Sequence, residues 1–234
     1  MRAWIVLVAV VGACLTGLLA MPADPLLRDE APPTAVDRLA SALSGDGTVL
    51  HLLSGLAVYG GFAFVLQLRE SHEARGMLLQ RLLRHGSATR WAAARTARHA
   101  VAAVLYLAVV AALGLGIAVL TASGPVLPAP GRLGLLAGQY LVGGLLQLGV
   151  YSALVLIVTW LARGSAAGLL TVGVIVVGGA LQLETRTWLP LQLADLAVTC
   201  GGWSEVGDTT ATLGLWVAIL GLALSALVQR TRPA

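Results

Sequence analysis

The chain has 234 residues, 58% of them hydrophobic and only 11% charged, with a mean hydropathy of +0.87, which is more apolar surface than one water-soluble core can bury. All 15 basic residues are arginine and none is lysine, so neither a P-loop nor a Schiff-base mechanism can operate within this chain. Cys14 lies in an apolar run and Cys200 in a polar stretch, so their settings do not read as a disulfide pair.

Crossing the hydrocarbon core takes ~20 predominantly apolar residues. Six segments meet that length, at about 3–20, 48–68, 100–121, 133–161, 166–183 and 210–228. The expected fold is therefore all-α, a polytopic membrane bundle of six transmembrane helices forming one domain. Near the N-terminus, Val11-Gly12-Ala13-Cys14 has the form of a lipoprotein cleavage box, but the apolar run continues through Leu15–Ala20, which favours an uncleaved first span. The stretch before the second span, with Pro22, Pro25, Pro32 and Pro33, reads as a loop.

Arginine is retained on the cytoplasmic side of spans, so alternate connections should differ in charge. The N-terminus, 69–99, 162–165 and the C-terminal tail together hold eleven arginines against Glu70 and Glu73, whereas the other connections hold four against nine acidic residues. Six spans with both termini in the cytoplasm fit every connection. Arginine in place of lysine, with abundant Ala, Gly, Leu and Val, points to a GC-rich bacterial genome, and hence to the bacterial cytoplasmic membrane.

Segment 69–99 gathers seven of the arginines. Leu78, Leu79, Leu82 and Leu83 fall on one helical face with Arg75, Arg81, Arg84 and His85 on its flanks, the pattern of an amphipathic helix at the membrane surface. Gly86 ends that helix and Ser87 is a suitable N-cap for a second, running through Arg90, Trp91, Arg95 and Arg98 into the third span. Anchoring to anionic headgroups, at about 1 kcal/mol per arginine, accounts for the charge alone. It does not account for a Leu-faced helix, a Gly-Ser break and Trp91. Before the last span, segment 184–209 has too few apolar residues to cross, and with Trp188 and Trp203 it reads as an extracytoplasmic interfacial segment, a short interfacial or re-entrant helix.

Arg84-His85-Gly86-Ser87 followed by Arg90-Trp91, between the second and third spans, resembles the small six-span permease subunits of bacterial ABC exporters of the type 2 class. The resemblance implies that 69–99 carries a coupling helix seated on a separate cytosolic ATP-binding subunit. Arg81, Arg84, His85, Gly86, Ser87, Arg90 and Trp91 would then be the contact. It also implies a second permease copy or homologue, alternating access, and ATP and Mg held by the partner. The missing lysine agrees with a P-loop carried elsewhere. Membrane lipids are the other expected partner, and no nucleic acid is expected.

Within the fourth span, Tyr140, Gly144, Gln147 and Tyr151 fall on one stripe at spacings of four, three and four. Such a stripe lines a substrate path or a dimer seam, or else makes interhelical hydrogen bonds of ~0.6 kcal/mol each. Tyr59, Gln67 and Thr171 are lesser candidates of the same kind. A bis-histidine haem is not expected, because His51 and His99 fall near opposite ends of their spans. No Cys/His group has zinc spacing, and no catalytic constellation is present. The chain is thus expected to be a non-enzymatic permease moving a hydrophobic or amphipathic substrate. The alternative is a non-transporting integral membrane scaffold or assembly subunit.

Overall fold

Leu7, Val11, Leu15 and Leu18 recur every three or four residues, and this stripe is the buried face of α1 (Arg2–Leu19). The structure is a computed structural model and describes residues 2–20, 34–43, 55–71, 88–121, 125–161, 170, 171, 173–175, 177 and 203–230. All elements among the described residues are helical. After α1 come α2 (Ala35–Leu43), α3 (55–71, opening with a π-helical turn at Leu56–Gly60), α4 (Ala88–Thr121), α5 (Pro130–Leu161) and α6 (Trp203–Arg230). Four helices, namely α1, α4 from Thr89, α5 and α6 from Gly207, are long and apolar enough to cross a membrane. Their outward faces carry large apolar side chains, among them Ile5, Val101, Leu105, Leu120 and Leu222. Apolar residues on all sides of a helix suit a lipid surround and not water.

Helix directions follow from the contacts. Trp4 of α1 packs on Phe62 and Tyr106, while Gly12 and Leu15 meet Leu113 and Gly114, so α1 and α4 run parallel and α3 runs against them. Trp91 at the start of α4 packs on Trp160 at the end of α5, and Val228 at the end of α6 joins the same cluster. α5 and α6 therefore both run antiparallel to α4. One end of the bundle, called here the basic end, gathers the start of α1, the end of α3, the start of α4 and the ends of α5 and α6.

The opposite end holds an element the sequence pattern did not signal as a helix, α2. Thr34 and Asp37 cap it reciprocally. The Asp37 amide donates to Thr34 Oγ1 at 3.1 Å, and the Thr34 amide and hydroxyl donate to Asp37 Oδ2 at 3.1 and 2.7 Å. This is a capping box closed by aspartate. The amides of Ala35 and Val36 also donate to the carbonyls of Pro125 and Val126, and Arg132 Nε forms an ion pair with Asp37 Oδ1 at 2.9 Å. Leu39 seats on Gly114, where a Cβ would stand 2.5 Å from its methyl. Asp37→Ala is expected to cost about 1–2 kcal/mol, most of it local. Hydrogen exchange should then speed up in 34–43 and stay unchanged in α5 and α6.

Other boundaries differ from those expected. α3 continues past residue 68 to Ser71, and α6 starts at Trp203 and not near 210, so residues 203–209 are continuous with the last helix. The remainder of 184–209 lies outside the described residues, as do 48–54 and most of 166–183.

Candidate functional site: the basic end of the bundle

Trp91, Arg95, His99, Ala103, Tyr106, Leu107 and Val110 form one buried stripe along α4. On α3 the corresponding stripe is Tyr59, Phe62, Ala63, Leu66, Gln67 and Glu70. Both keep helical spacing, so the α3–α4 seam begins as aromatic and aliphatic packing and ends, at the basic end, in charge. Arg95 Nη1 donates to Glu70 Oε1 at 2.9 Å and His99 Nε2 lies 3.2 Å from the same oxygen. A carboxylate can only accept, so Nε2 carries the hydrogen. All three side chains are almost wholly buried, between 3 and 6% exposed. The Arg95 guanidinium also lies 5.9 Å from the centroid of the Trp91 ring, which itself packs at 5.4 Å on Trp160 with the ring planes inclined by 46°. This cation–π contact extends the cluster from α3 and α4 to α5.

One helical turn deeper, Gln67 joins three elements. Its Nε2 donates to Thr159 Oγ1 of α5 and its Oε1 accepts from Thr171 Oγ1, both at 3.1 Å. Above it, Trp4, Phe62 and Tyr106 meet with centroid separations of 5.2–6.1 Å. The Tyr106 hydroxyl donates at 2.6 Å to the carbonyl of Val58 inside the π-helical turn.

The residues singled out from the sequence are placed as follows. Arg81, Arg84, His85, Gly86 and Ser87 lie outside the described residues. Arg90 is exposed on the first turn of α4, whereas Trp91 is 3% exposed and belongs to the fold's own packing. Of the stripe on α5, Tyr140 donates to the Leu107 carbonyl at 2.8 Å and Gly144 lets Leu107 approach, a Cβ there lying 3.0 Å from its methyl. Gln147 and Tyr151 are fully buried within the same chain. Those four residues therefore face α4 and the bundle interior. Thr171 and Gln67 meet each other directly.

The sequence pattern does not signal the ionic cluster: in it Glu70, Arg95 and His99 figure only as connection charges and helix-end groups. Two spacings in the sequence bear on it: Arg95 and His99 are four apart on the stripe that begins at Trp91, and Glu70 is three residues beyond Gln67. Among the described residues, no group of three or more His, Cys, Asp or Glu could hold a metal ion.

Between α4, α5 and α6 a cleft of about 550 Å3 is lined almost wholly by apolar and small residues, with His99 and Thr96 at its basic end. A second apolar cavity of about 260 Å3 lies under α2 at the other end. No protein-family model matches the chain, and it has no significant match among curated proteins or solved structures.

Proposed function

We propose that the chain is a six-span permease subunit of an ATP-driven exporter in the bacterial cytoplasmic membrane, with its N- and C-termini in the cytoplasm. A separate cytosolic ATPase would drive it. The observation that carries the reading is α4, one uninterrupted helix from Ala88 to Thr121. At ~1.5 Å per residue it is about 50 Å long, against a hydrocarbon core of ~30 Å. Its excess length, about 20 Å or nearly four turns, accommodates the Arg-bearing turns adjoining the Arg84–Ser87 motif, so displacement of that segment is delivered directly into a span.

The Glu70–Arg95–His99 cluster and the Trp91–Trp160 contact support the same role, because they tie the first turns of α4 to α3 and α5. A push at residue 90 then moves three helices together. Helix directions support six crossings: α1 and α4 leave the basic end, α3, α5 and α6 return to it, and the expected span at 166–183 supplies the remaining outward passage.

Docking falls on Arg81, Arg84, His85, Gly86, Ser87 and exposed Arg90, with Trp91 as the internal anchor of the lever. The substrate is hydrophobic or amphipathic, and a second permease copy or homologue completes the transporter. ATP and Mg are held by the partner. Replacing Arg81, Arg84 and Arg90 together by Glu is expected to abolish co-purification of the ATPase while membrane insertion persists. A complex recovered unchanged from this variant would overturn the docking assignment, and a chain that never retains an ATPase would favour a scaffold.

A further inference from the structure

The Gly61 amide donates to the carbonyl of Leu56, five residues back, so Leu56–Gly60 winds as a π-helical turn while Gly55 and Gly61 on either side keep ordinary right-handed helical dihedrals. Such a turn holds one residue more than an α-helix would place there, and single π turns inside α-helices often mark functional positions. Rewinding absorbs the extra residue. The helix on one side of the turn then advances by one position against the other, a rotation of ~100° and a shift of ~1.5 Å.

The two sides of the turn are held differently. On the basic side, Phe62 packs on Trp4 and Tyr106, Gln67 bonds to Thr159 and Thr171, and Glu70 bonds to Arg95 and His99. Gly61 seats the Leu7 side chain of α1 so closely that a Cβ there would overlap its methyl. These contacts hold 61–70 in one rotational setting. The tight packing ends at Gly60, where an added Cβ would stand 3.5 Å from Ile175, an ordinary contact distance.

Within the turn, the Tyr106 hydroxyl donates to the Val58 carbonyl at 2.6 Å. A neighbouring helix thus clamps α3 at the stretch where its own hydrogen-bond ladder is irregular. The clamp is also linked to α5, because the carbonyl of Leu107, the next residue along α4, accepts from the Tyr140 hydroxyl at 2.8 Å. Sliding α4 against α3 therefore loads the Tyr106 bond directly.

We propose that this π-helical turn is a conformational switch with Tyr106 as its catch. While the bond to Val58 is made, the turn persists. When the bond is released, Leu56–Gly60 rewinds as α-helix, and the part of α3 before Gly61 turns by one residue against an unmoved part from Gly61 to Ser71. Turning carries Tyr59, which is 7% exposed, off the buried face. The side of α3 away from the basic end is thus free to rearrange while the ionic cluster stays intact. The inference invokes no ATPase, so it stands or falls separately from the exporter reading.

Double electron–electron resonance on the full chain in lipid nanodiscs tests it, with Cys14→Ala and Cys200→Ala as background. Spin labels at position 57 paired with exposed Leu120 of α4, or with exposed Val10 of α1, view the turn from two directions, and exposed Leu68 and Val101 on the basic side form the control pair. Tyr106→Phe keeps the ring and removes the hydroxyl. It should raise the population of a second distance from position 57 about fivefold, the ratio one neutral hydrogen bond supplies, with the 68–101 distance unchanged. Deleting Gly60 removes the extra residue, so the second distance should vanish even in combination with Tyr106→Phe. A folded Tyr106→Phe chain with unaltered distances from position 57 would overturn the switch, and this arm decides alone if the deletion variant does not fold. A second distance that survives the deletion would overturn it too, as would positions 57 and 68 moving together, since α3 would then shift as one rigid rod.

Discussion

Glu70→Leu should destabilise the protein by about 3–5 kcal/mol, the loss typical of removing one partner from a buried ion pair. Arg95 and His99 both direct hydrogens at Glu70 Oε1, and neither is open to solvent. Without the carboxylate, the guanidinium is left in a setting whose nearest aromatic face is Trp91. Most of the cost is thus the loss of a shared acceptor for two buried groups, Arg95 Nη1 and His99 Nε2. Glu70→Gln keeps an acceptor oxygen and should cost less than Glu70→Leu. Glu70→Leu combined with Arg95→Leu should recover a large part of the loss, because replacing both members of a buried ion pair by apolar groups is far less costly than removing one. Unfolding in detergent micelles, followed for both single variants and the double, gives the coupling energy. Single-variant losses that simply add would mean the two groups do not act as a pair.

The second large effect is expected at Phe62. Its ring is wholly buried and touches Trp4 of α1 and Tyr106 of α4, so it joins three helices. Phe62→Ala leaves a cavity that no single neighbour can close, which in cores costs about 3–5 kcal/mol. The lower end applies here, since lipid is as apolar as the site and dispersion contacts form most of the loss. Phe62→Leu should cost under about 1.5 kcal/mol. Tyr106→Phe removes only the bond to the Val58 carbonyl and should cost about 1 kcal/mol. If Phe62→Ala and Phe62→Leu unfold alike, the aromatic junction is not what holds α1 to the bundle.

Much of the fold could be read from apolar run length, because crossing hydrocarbon demands a long uninterrupted helix. The Gly86–Ser87 break predicted a helix through Arg90, Trp91, Arg95 and Arg98 into the third span, and α4 starts at Ala88. α2 escaped because nine residues with several alanines carry a weak apolar signal, although the Thr34-x-x-Asp37 box before it was visible. The start of α6 at Trp203 is not legible from hydropathy, because polar residues such as Ser204, Glu205 and Asp208 lower it without preventing a helix. Charge was the least legible feature. Counting arginines by connection separates the two ends of the bundle but treats every arginine as exposed. It cannot show that Arg95 turns inward to Glu70 while Arg90, five residues earlier, turns out. That distinction depends on the α3–α4 register, set by Phe62, Leu66, Tyr106 and Leu107 far from the charges.

The exposed Arg90 and the buried Trp91 beside it allow the most direct test of an energy-supplying partner. A photoreactive benzoylphenylalanine is introduced at position 90 or at position 91, irradiated in native membranes, and the products are identified by mass spectrometry. The account predicts that position 90 captures a P-loop ATPase and that position 91 captures only the chain's own α5 near Trp160. Capture of lipid or of the chain alone from position 90, in a protein that is correctly inserted, would contradict it.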